Sequence, residues 1–390
     1  MPHCLPAVCC RSLLVLGMTV GLLSAGARIV WAQPEAATVL GRLLDAETGE
    51  TVPGAHVFIA ASMIGTVTAP DGSFRLDDVP LGAHRIFATM VGYAPATVDT
   101  VLRAPGSYEL ELTLAPVVVE IPELTVSAER DARWPRRKRK FDRLFLGESV
   151  QARDVRVLNP EVLSFDAKWW GRFRAHAAAP LVVENQALGY RLTYFLKVFE
   201  MSGSTLRYDG EPLFEELEPA DADEAERWAT NRRQAYHGSF RHFLLSLLEG
   251  TTNRDGFITY LLPDAKLRGT GSSRFRLNPE DILQPGPSVQ EWMLQFRGFI
   301  EIVYTHEEES PAFLAWQGRH RHRSARSQTS YIELTDGPTL VDHTGEVIDP
   351  FGVTTYGYFA FERIAEMLPK EYRPDPGSDA SSWVGDAPDP

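Results

Sequence analysis

Between Thr38 and Leu114 apolar and polar positions alternate in short runs, each closed by Gly, Pro or Asp. Strands are predicted at Thr38–Leu44, His56–Ala60, Gly65–Ala69, Ser73–Leu76, His84–Met90, Thr97–Leu102 and Tyr108–Leu114. Seven such runs without helical periodicity predict an antiparallel β-sandwich. Within TAPDGSFRLDDVPLG, Asp71-Gly72 suits the positive φ of a tight hairpin turn. Phe74 and Leu76 then share a buried face while Ser73 and Arg75 face water, because strand side chains repeat every two residues. Asp77 and Asp78 are expected to cap the outgoing turn. A calcium loop would need acids at alternate positions around a glycine and a late bidentate Glu, a pattern this stretch lacks.

After residue 140 the periods mix. Leu181–Phe199 reads as a strand, a turn near Asn185–Gly189 and a second strand, with Ser204–Tyr208 extending the sheet and Asp209-Gly210 turning it back. Asp221, Asp223, Glu224 and Glu226 crowd the start of a helical segment containing Trp228 and Arg232, where acids suit the positive helix end. Gly238 interrupts it, and Phe240, Phe243, Leu244, Leu247 and Leu248 mark a second helix ending near Gly250. Strands follow at Gly256–Leu262, Trp292–Val303, Tyr331–Leu334 and Val353–Tyr358, and Phe361–Leu368 is predicted as a last helix. The fold class expected is β-rich: an N-terminal seven-stranded antiparallel β-sandwich followed by a mixed α+β domain.

Gly41, Asp45, Thr48-Gly49, Pro53-Gly54-Ala55, Val57, Gly65-Thr66, Thr68, Asp71-Gly72-Ser73-Phe74, Val79-Pro80, Gly82, His84 and Val91-Gly92-Tyr93 carry a resemblance. The segment resembles the carboxypeptidase regulatory-like domain, which implies a small transthyretin-like or carbohydrate-binding-like sandwich of exported bacterial proteins. Val117–Ala128 resembles the stretch joining such domains to the plug of TonB-dependent receptors. A barrel of about 22 strands does not fit the remaining length. His343-Thr344-Gly345-Glu346 is similar to a zinc-carboxypeptidase motif, but no later histidine follows it, so it is expected as a turn between Leu340 and Val347. The later region, through Phe141, Phe145-Leu146-Gly147, Leu158-Asn159-Pro160, Leu188-Gly189-Tyr190, Arg233, Tyr236, Gly238-Ser239, Arg241-His242-Phe243 and Leu368-Pro369, resembles the region following this sandwich in a set of exported proteins. That likeness carries the two-part layout and implies no activity.

Arg11 precedes an apolar run from Leu13 to Ala27, and Val30-Trp31-Ala32 offers small-residue cleavage chemistry, so residues 1–32 read as an export signal. The competing reading, an uncleaved anchor, meets a run short for a span of about 20 residues and broken by Gly17, Gly21 and Gly26. The expected layout is then a sandwich over 33–116, a linker over 117–140 with the basic run Arg133–Lys140, an α+β domain over 141–373 and a disordered tail over 374–390. Cys4, Cys9 and Cys10 leave with the signal, removing disulfide, thiolate-metal and cysteine-nucleophile chemistry from the mature chain. The chain carries a formal charge of −13, and losing Arg11 and Arg28 takes it to −15. This balance argues against nucleic acid, which needs a concentrated basic face.

Arg232, Arg233, Tyr236, His237, Arg241 and His242 form the densest set of polar groups able to act together. On a helix Arg233, His237 and Arg241 would share a face and grip a carboxylate or phosphate; the other reading is a salt-bridged face answering Glu184, Glu215 and Glu216. Ser239 beside His242 raises a hydrolase, though without a Gly-x-Ser-x-Gly elbow. His320 and His322 would align on a strand as two metal ligands without a third, and Trp169, Trp170, Trp292 and Trp316 offer sugar-stacking faces or core packing. No cofactor is expected. The function expected is a non-catalytic binding or scaffold protein, periplasmic or outer-membrane associated, with an envelope protein or glycan as partner and no transmembrane segment after cleavage. A hydrolase sited around Arg233–His242 and a purely structural role remain the alternatives.

Overall fold

The computed structural model describes residues 36–117, 132–167, 171–263, 274–288, 290–318 and 326–374. The export signal, most of the 117–140 linker, Trp169, Trp170, His320, His322 and the tail beyond residue 374 lie outside them. Seven strands stand where the alternation places them: β1 (Ala36–Asp45), β2 (His56–Ile59), β3 (Gly65–Val67), β4 (Ser73–Pro80), β5 (Gly82–Thr89), β6 (Ala96–Leu102) and β7 (Gly106–Leu114). They form two sheets, β4-β1-β7 and β3-β2-β5-β6. Val39, Leu43, Val57, Ile59, Leu76, Ile86, Leu102 and Leu112 fill the space between, so the sandwich has its own core.

Two details differ from the expectation. β7 runs parallel to β1, from Ala37 opposite Gly106 to Asp45 opposite Leu114, so the sandwich is not antiparallel throughout. Alternation reports which face a residue takes but carries no strand direction. Asp77 and Asp78 do not cap a turn; β4 continues through them as a bulge opposite Thr38, with Asp78 at φ 54°. The extra residue of a bulge absorbs that left-handed conformation. Elsewhere the motif residues explain themselves. Gly72 takes φ 73° in the hairpin, and Asp71 accepts from the Ser73 N–H at 3.0 Å and hydroxyl at 2.6 Å. Asp45 accepts from the N–H groups of Glu47 and Thr48 and, at 2.9 Å, from the Tyr93 hydroxyl, joining the first motif to the last.

The second region begins earlier than expected, because the basic run forms α1 (Trp134–Phe145), which buries Phe141 and Phe145. Proline at its start and buried aromatics four residues apart turn a stretch that reads as linker into an amphipathic helix. Six strands, β8 (Val155–Val157), β9 (Leu163–Ala167), β10 (Phe173–Ala177), β11 (Leu181–Asn185), β12 (Tyr190–Ser202) and β13 (Thr205–Glu216), make one sheet. Asp209-Gly210 does not turn the chain. β13 passes straight through it, the irregularity being a bulge between Leu196 and Val198 of β12. Gly210 is required there because a Cβ would lie 2.4 Å from the Tyr194 ring.

Helices α2 (Ala222–Tyr236) and α3 (Phe240–Leu248) follow as expected, capped by Asp221 and Ser239. Next come β14 (Phe257–Leu262), β15 (Phe275–Arg276), β16 (Leu283–Pro285), β17 (Glu291–Leu294), β18 (Phe299–Glu308), α4 (Pro311–Trp316), β19 (Ser327–Leu334), β20 (Thr339–Asp342), β21 (Val353–Gly357) and α5 (Tyr358–Phe361). They make a sheet ordered β15-β14-β18-β19-β21 and another ordered β16-β17-β20. The single strand predicted over Trp292–Val303 is therefore two, in different sheets, broken where Gly298 adopts φ 81°. The last predicted helix is only α5 and a 3₁₀ turn over Ile364–Glu366. His343–Glu346 is the expected turn. Asp342 accepts from the Thr344 N–H and hydroxyl and from the Glu346 N–H.

The sandwich packs directly on this region. Phe58 and Phe87, on its outer face, meet Phe195 of β12 with ring centroids 5.0 to 5.4 Å apart. The backbone continues the contact, with Ala61 N–H donating to Pro212 at 2.8 Å, Phe214 N–H to Ser62 at 2.9 Å and Lys370 N–H to Ala61 at 2.8 Å. Arg85 bonds Asp99 at 2.9 Å beside Glu211 of β13. Gly82 leaves room for His343, whose ring would lie 2.0 Å from a Cβ there.

Candidate functional site

The six residues predicted as a site are divided between α2, its C-cap and α3. His237 is the C-cap of α2 with ψ 134°, so Arg233, His237 and Arg241 lie on no common helix face. Arg232 donates to the carbonyls of Leu188 at 2.7 Å and Gly189 at 3.3 Å, pairs with Glu216 at 2.6 Å and covers the Tyr190 ring. Arg241 turns inward and donates to the carbonyls of Thr344, Pro369, Lys370 and Tyr372, fastening the end of the described chain. Burial lowers its pKa to about 10. His242 accepts from the Gly238 N–H at 3.1 Å among Tyr236, Phe257 and Tyr304. Burial, helped by the nearby His237, holds it neutral with a pKa of about 3. Ser239 accepts from the His242 N–H and donates to the Tyr236 carbonyl at 2.7 Å, which is a helix cap and not a nucleophile's geometry. Arg233, at the surface, reaches Thr230 at 3.0 Å.

Two cavities carry polar walls. One, of about 260 Å³, lies at the junction and is lined by His84, Arg85, Asp99, Glu211, Asp342 and Lys370 among others. Burial lowers the pKa of His84 to about 4 while its Nε2 bonds the Pro80 carbonyl at 2.6 Å. The other, of about 590 Å³, opens between α2, β18, β19 and α5. None of the six predicted residues lines either cavity.

The larger cavity gathers Asp154, Glu307, Glu308, Glu362 and Glu366 with His306 and Tyr358. Burial raises Glu307 to about 7, against the Gln328 amide that donates to it at 2.7 Å. Burial likewise raises Glu366 to about 7, opposed by the Arg363 N–H at 2.9 Å and the Ser149 hydroxyl. Glu362 is pushed up furthest, by burial and by the charges of Glu366 and Glu307. Glu362 and Glu366 keep accessible surface because they face the cavity, and are otherwise enclosed. Sequence reasoning missed this set. Its one local trace is the acid pair Glu362 and Glu366, four apart in an apolar stretch; the rest is brought in by strands far away. Among the described residues no three His, Asp or Glu side chains converge closely enough to hold a metal ion. Trp316, 40% exposed, stacks on Phe313 and meets Phe361 at a tilt.

The hairpin, the Asp45–Tyr93 link and the two-sheet core decide the identity of the first part. Residues 38–115 are a carboxypeptidase regulatory-like domain. Among solved structures, a cohesin–X-dockerin complex from Acetivibrio cellulolyticus is similar at 20% identity over 20% of this chain and 56% of that one, with a TM-score of 0.18. The Bacillus anthracis TIE protein is similar at 18% identity over 21% of this chain and 17% of that one, with a TM-score of 0.19. BcpA, the major pilin subunit of Bacillus cereus, is similar at 13% identity over 22% and 31%, with a TM-score of 0.18. The comparison with curated proteins returns no match. No helix among the described residues is long and apolar enough to cross a membrane. The regulatory-like domain thus covers about a fifth of the chain, and both polar-walled cavities draw residues from outside it.

Proposed function

We propose that this chain is a non-catalytic exported envelope protein, acting as a binding or scaffold module for a protein or glycan partner. The observation that carries this reading is the commitment of the basic cluster: Arg232 and Arg241 donate to main-chain carbonyls from three separate segments, and Ser239 caps a helix. A hydrolytic centre there would need a serine with a base in reach and a pocket before it. The leader-like start of the sequence supports export to the periplasm or outer membrane. Strand β6 ends its sheet, and Val91, 94% exposed, stands in the loop leading into it, a geometry suited to partner docking along a sheet edge.

A photo-crosslinking residue at Val91 or Thr97 in the native host is expected to give one discrete adduct of an envelope protein or glycan, with none from Glu226 on α2. The reading fails if the purified chain turns over esters, peptides or glycosides and Ser239→Ala abolishes that turnover at unchanged melting temperature.

A further inference from the structure

The cavity between α2, β18, β19 and α5 has an unbalanced wall. Asp154, Glu307, Glu308, Glu362 and Glu366 line it, and the lining includes neither Lys nor Arg. His306 is the one histidine of the lining. Buried carboxylates are normally paired with cations, because an isolated buried charge costs several kcal/mol or is neutralised by a proton. Here Glu307 accepts from the Gln328 amide and Glu366 from the Ser149 hydroxyl and the Arg363 N–H, with the Arg363 guanidinium, outside the lining, also acting on Glu366.

Glu362 has no such partner. Its side chain is largely buried and faces the cavity, and among the described residues its carboxyl group has no hydrogen bond or ion pair. A fold that only needed to fill this space would place an apolar side chain there, as it does with Phe361 next door. An unpartnered acid aimed into open volume is half of an interaction.

The shape of the wall selects the other half. At about 590 Å³ the cavity lies within the range of small-molecule sites, roughly 300 to 1,000 Å³. The acids stand around the wall without converging on one point, so a compact divalent ion would meet too few of them at once. A longer molecule with separated positive charges would meet several. Tyr358 and Phe361 add aromatic faces that attract organic cations, and Gln151, Asn231 and Gln234 add neutral hydrogen-bonding groups.

We propose that this cavity is a binding site for a small organic cation bearing more than one ammonium group, a linear polyamine, with Glu362 as its central anchor and Glu307 and Glu366 flanking it. The site is independent of any partner that docks on the regulatory-like domain. Bound, the ammonium groups would supply the donors that Glu362 lacks and hold all three glutamates ionised.

The test is titration calorimetry of the full chain with spermidine, putrescine and spermine at pH 8 and 150 mM salt, where loose attraction to the chain's net charge is screened. Saturable one-site binding of at least one of the three is expected, weakened tenfold or more in Glu362→Gln. Without ligand, Glu362→Gln should melt at the same temperature as the parent chain or higher, since an uncompensated buried acid has been removed. Glu307→Gln provides a second variant with the same expectations. The proposal is overturned if none of the three binds at millimolar concentration, if binding is weak and non-saturable, if both variants bind as the parent does, or if both lose binding only by losing stability. Saturable calcium binding that excludes all three amines would also overturn it.

Discussion

The Arg232–His242 stretch and the acidic cavity are near neighbours of opposite character. In the first, polar residues are dense along the chain and three of them are taken up by their surroundings: Arg241 by four carbonyls, Arg232 by two carbonyls and Glu216, His242 by the Gly238 N–H. In the second, acids from positions 154 to 366 are brought together in a lining that includes no Lys or Arg. Local density of polar groups reflects the need to satisfy loops and helix ends, where backbone groups lack partners. A set of like charges assembled from distant segments has no such structural motive. The difference is the ground for placing the proposed ligand at the second.

The sharpest way to break this contrast is at Arg241. Arg241→Ala strips the donor from four carbonyls and is expected to destabilise the chain by about 3 to 5 kcal/mol, measured by urea unfolding. If stability is unchanged, the cluster is not structural. Phe195→Ala at the junction comes next, with a loss of about 2 to 3 kcal/mol and proteolytic release of the regulatory-like domain ahead of the rest.

The pH dependence separates the two regions without mutation. His242 has a folded pKa of about 3 against 6.5 unfolded, so the unfolded chain binds the extra proton between those values. Stability should fall as pH drops from 6.5 towards 3, and His84, at about 4, acts in the same direction. Glu307 and Glu366 have folded values of about 7 against 4.5, so their contribution is present below pH 4.5 and lost as pH rises through 7. Melting temperatures across pH 3 to 9 should show both limbs, and Glu307→Gln should flatten only the alkaline one. The smallest effect belongs to Arg233→Ala. This residue reaches only Thr230 at the surface, so the change should stay within about 0.5 kcal/mol.

The regulatory-like domain was the most legible part of the molecule. Its strands, its hairpin at Asp71-Gly72 and its motif residues follow from alternation and turn chemistry, both set within a few residues. Helices α2 and α3 were visible for the same reason, through their acids, caps and apolar spacing. Legibility declined where long contacts decide. A basic stretch became α1 because Phe141 and Phe145 found a core, and one apolar run became β17 and β18 because Gly298 let the chain change sheets.

By itself the sequence determined the seven strands of the sandwich, helices α2 and α3, and an acidic chain whose cysteines all precede the described residues. The parallel partner of β1, the inward turn of Arg241 and the gathering of Glu307, Glu362 and Glu366 were decided by tertiary structure alone. Periodicity tells a residue which side of its own strand or helix it occupies. Whether that side meets a carbonyl, an aromatic ring or an open cavity depends on elements a hundred or more positions away.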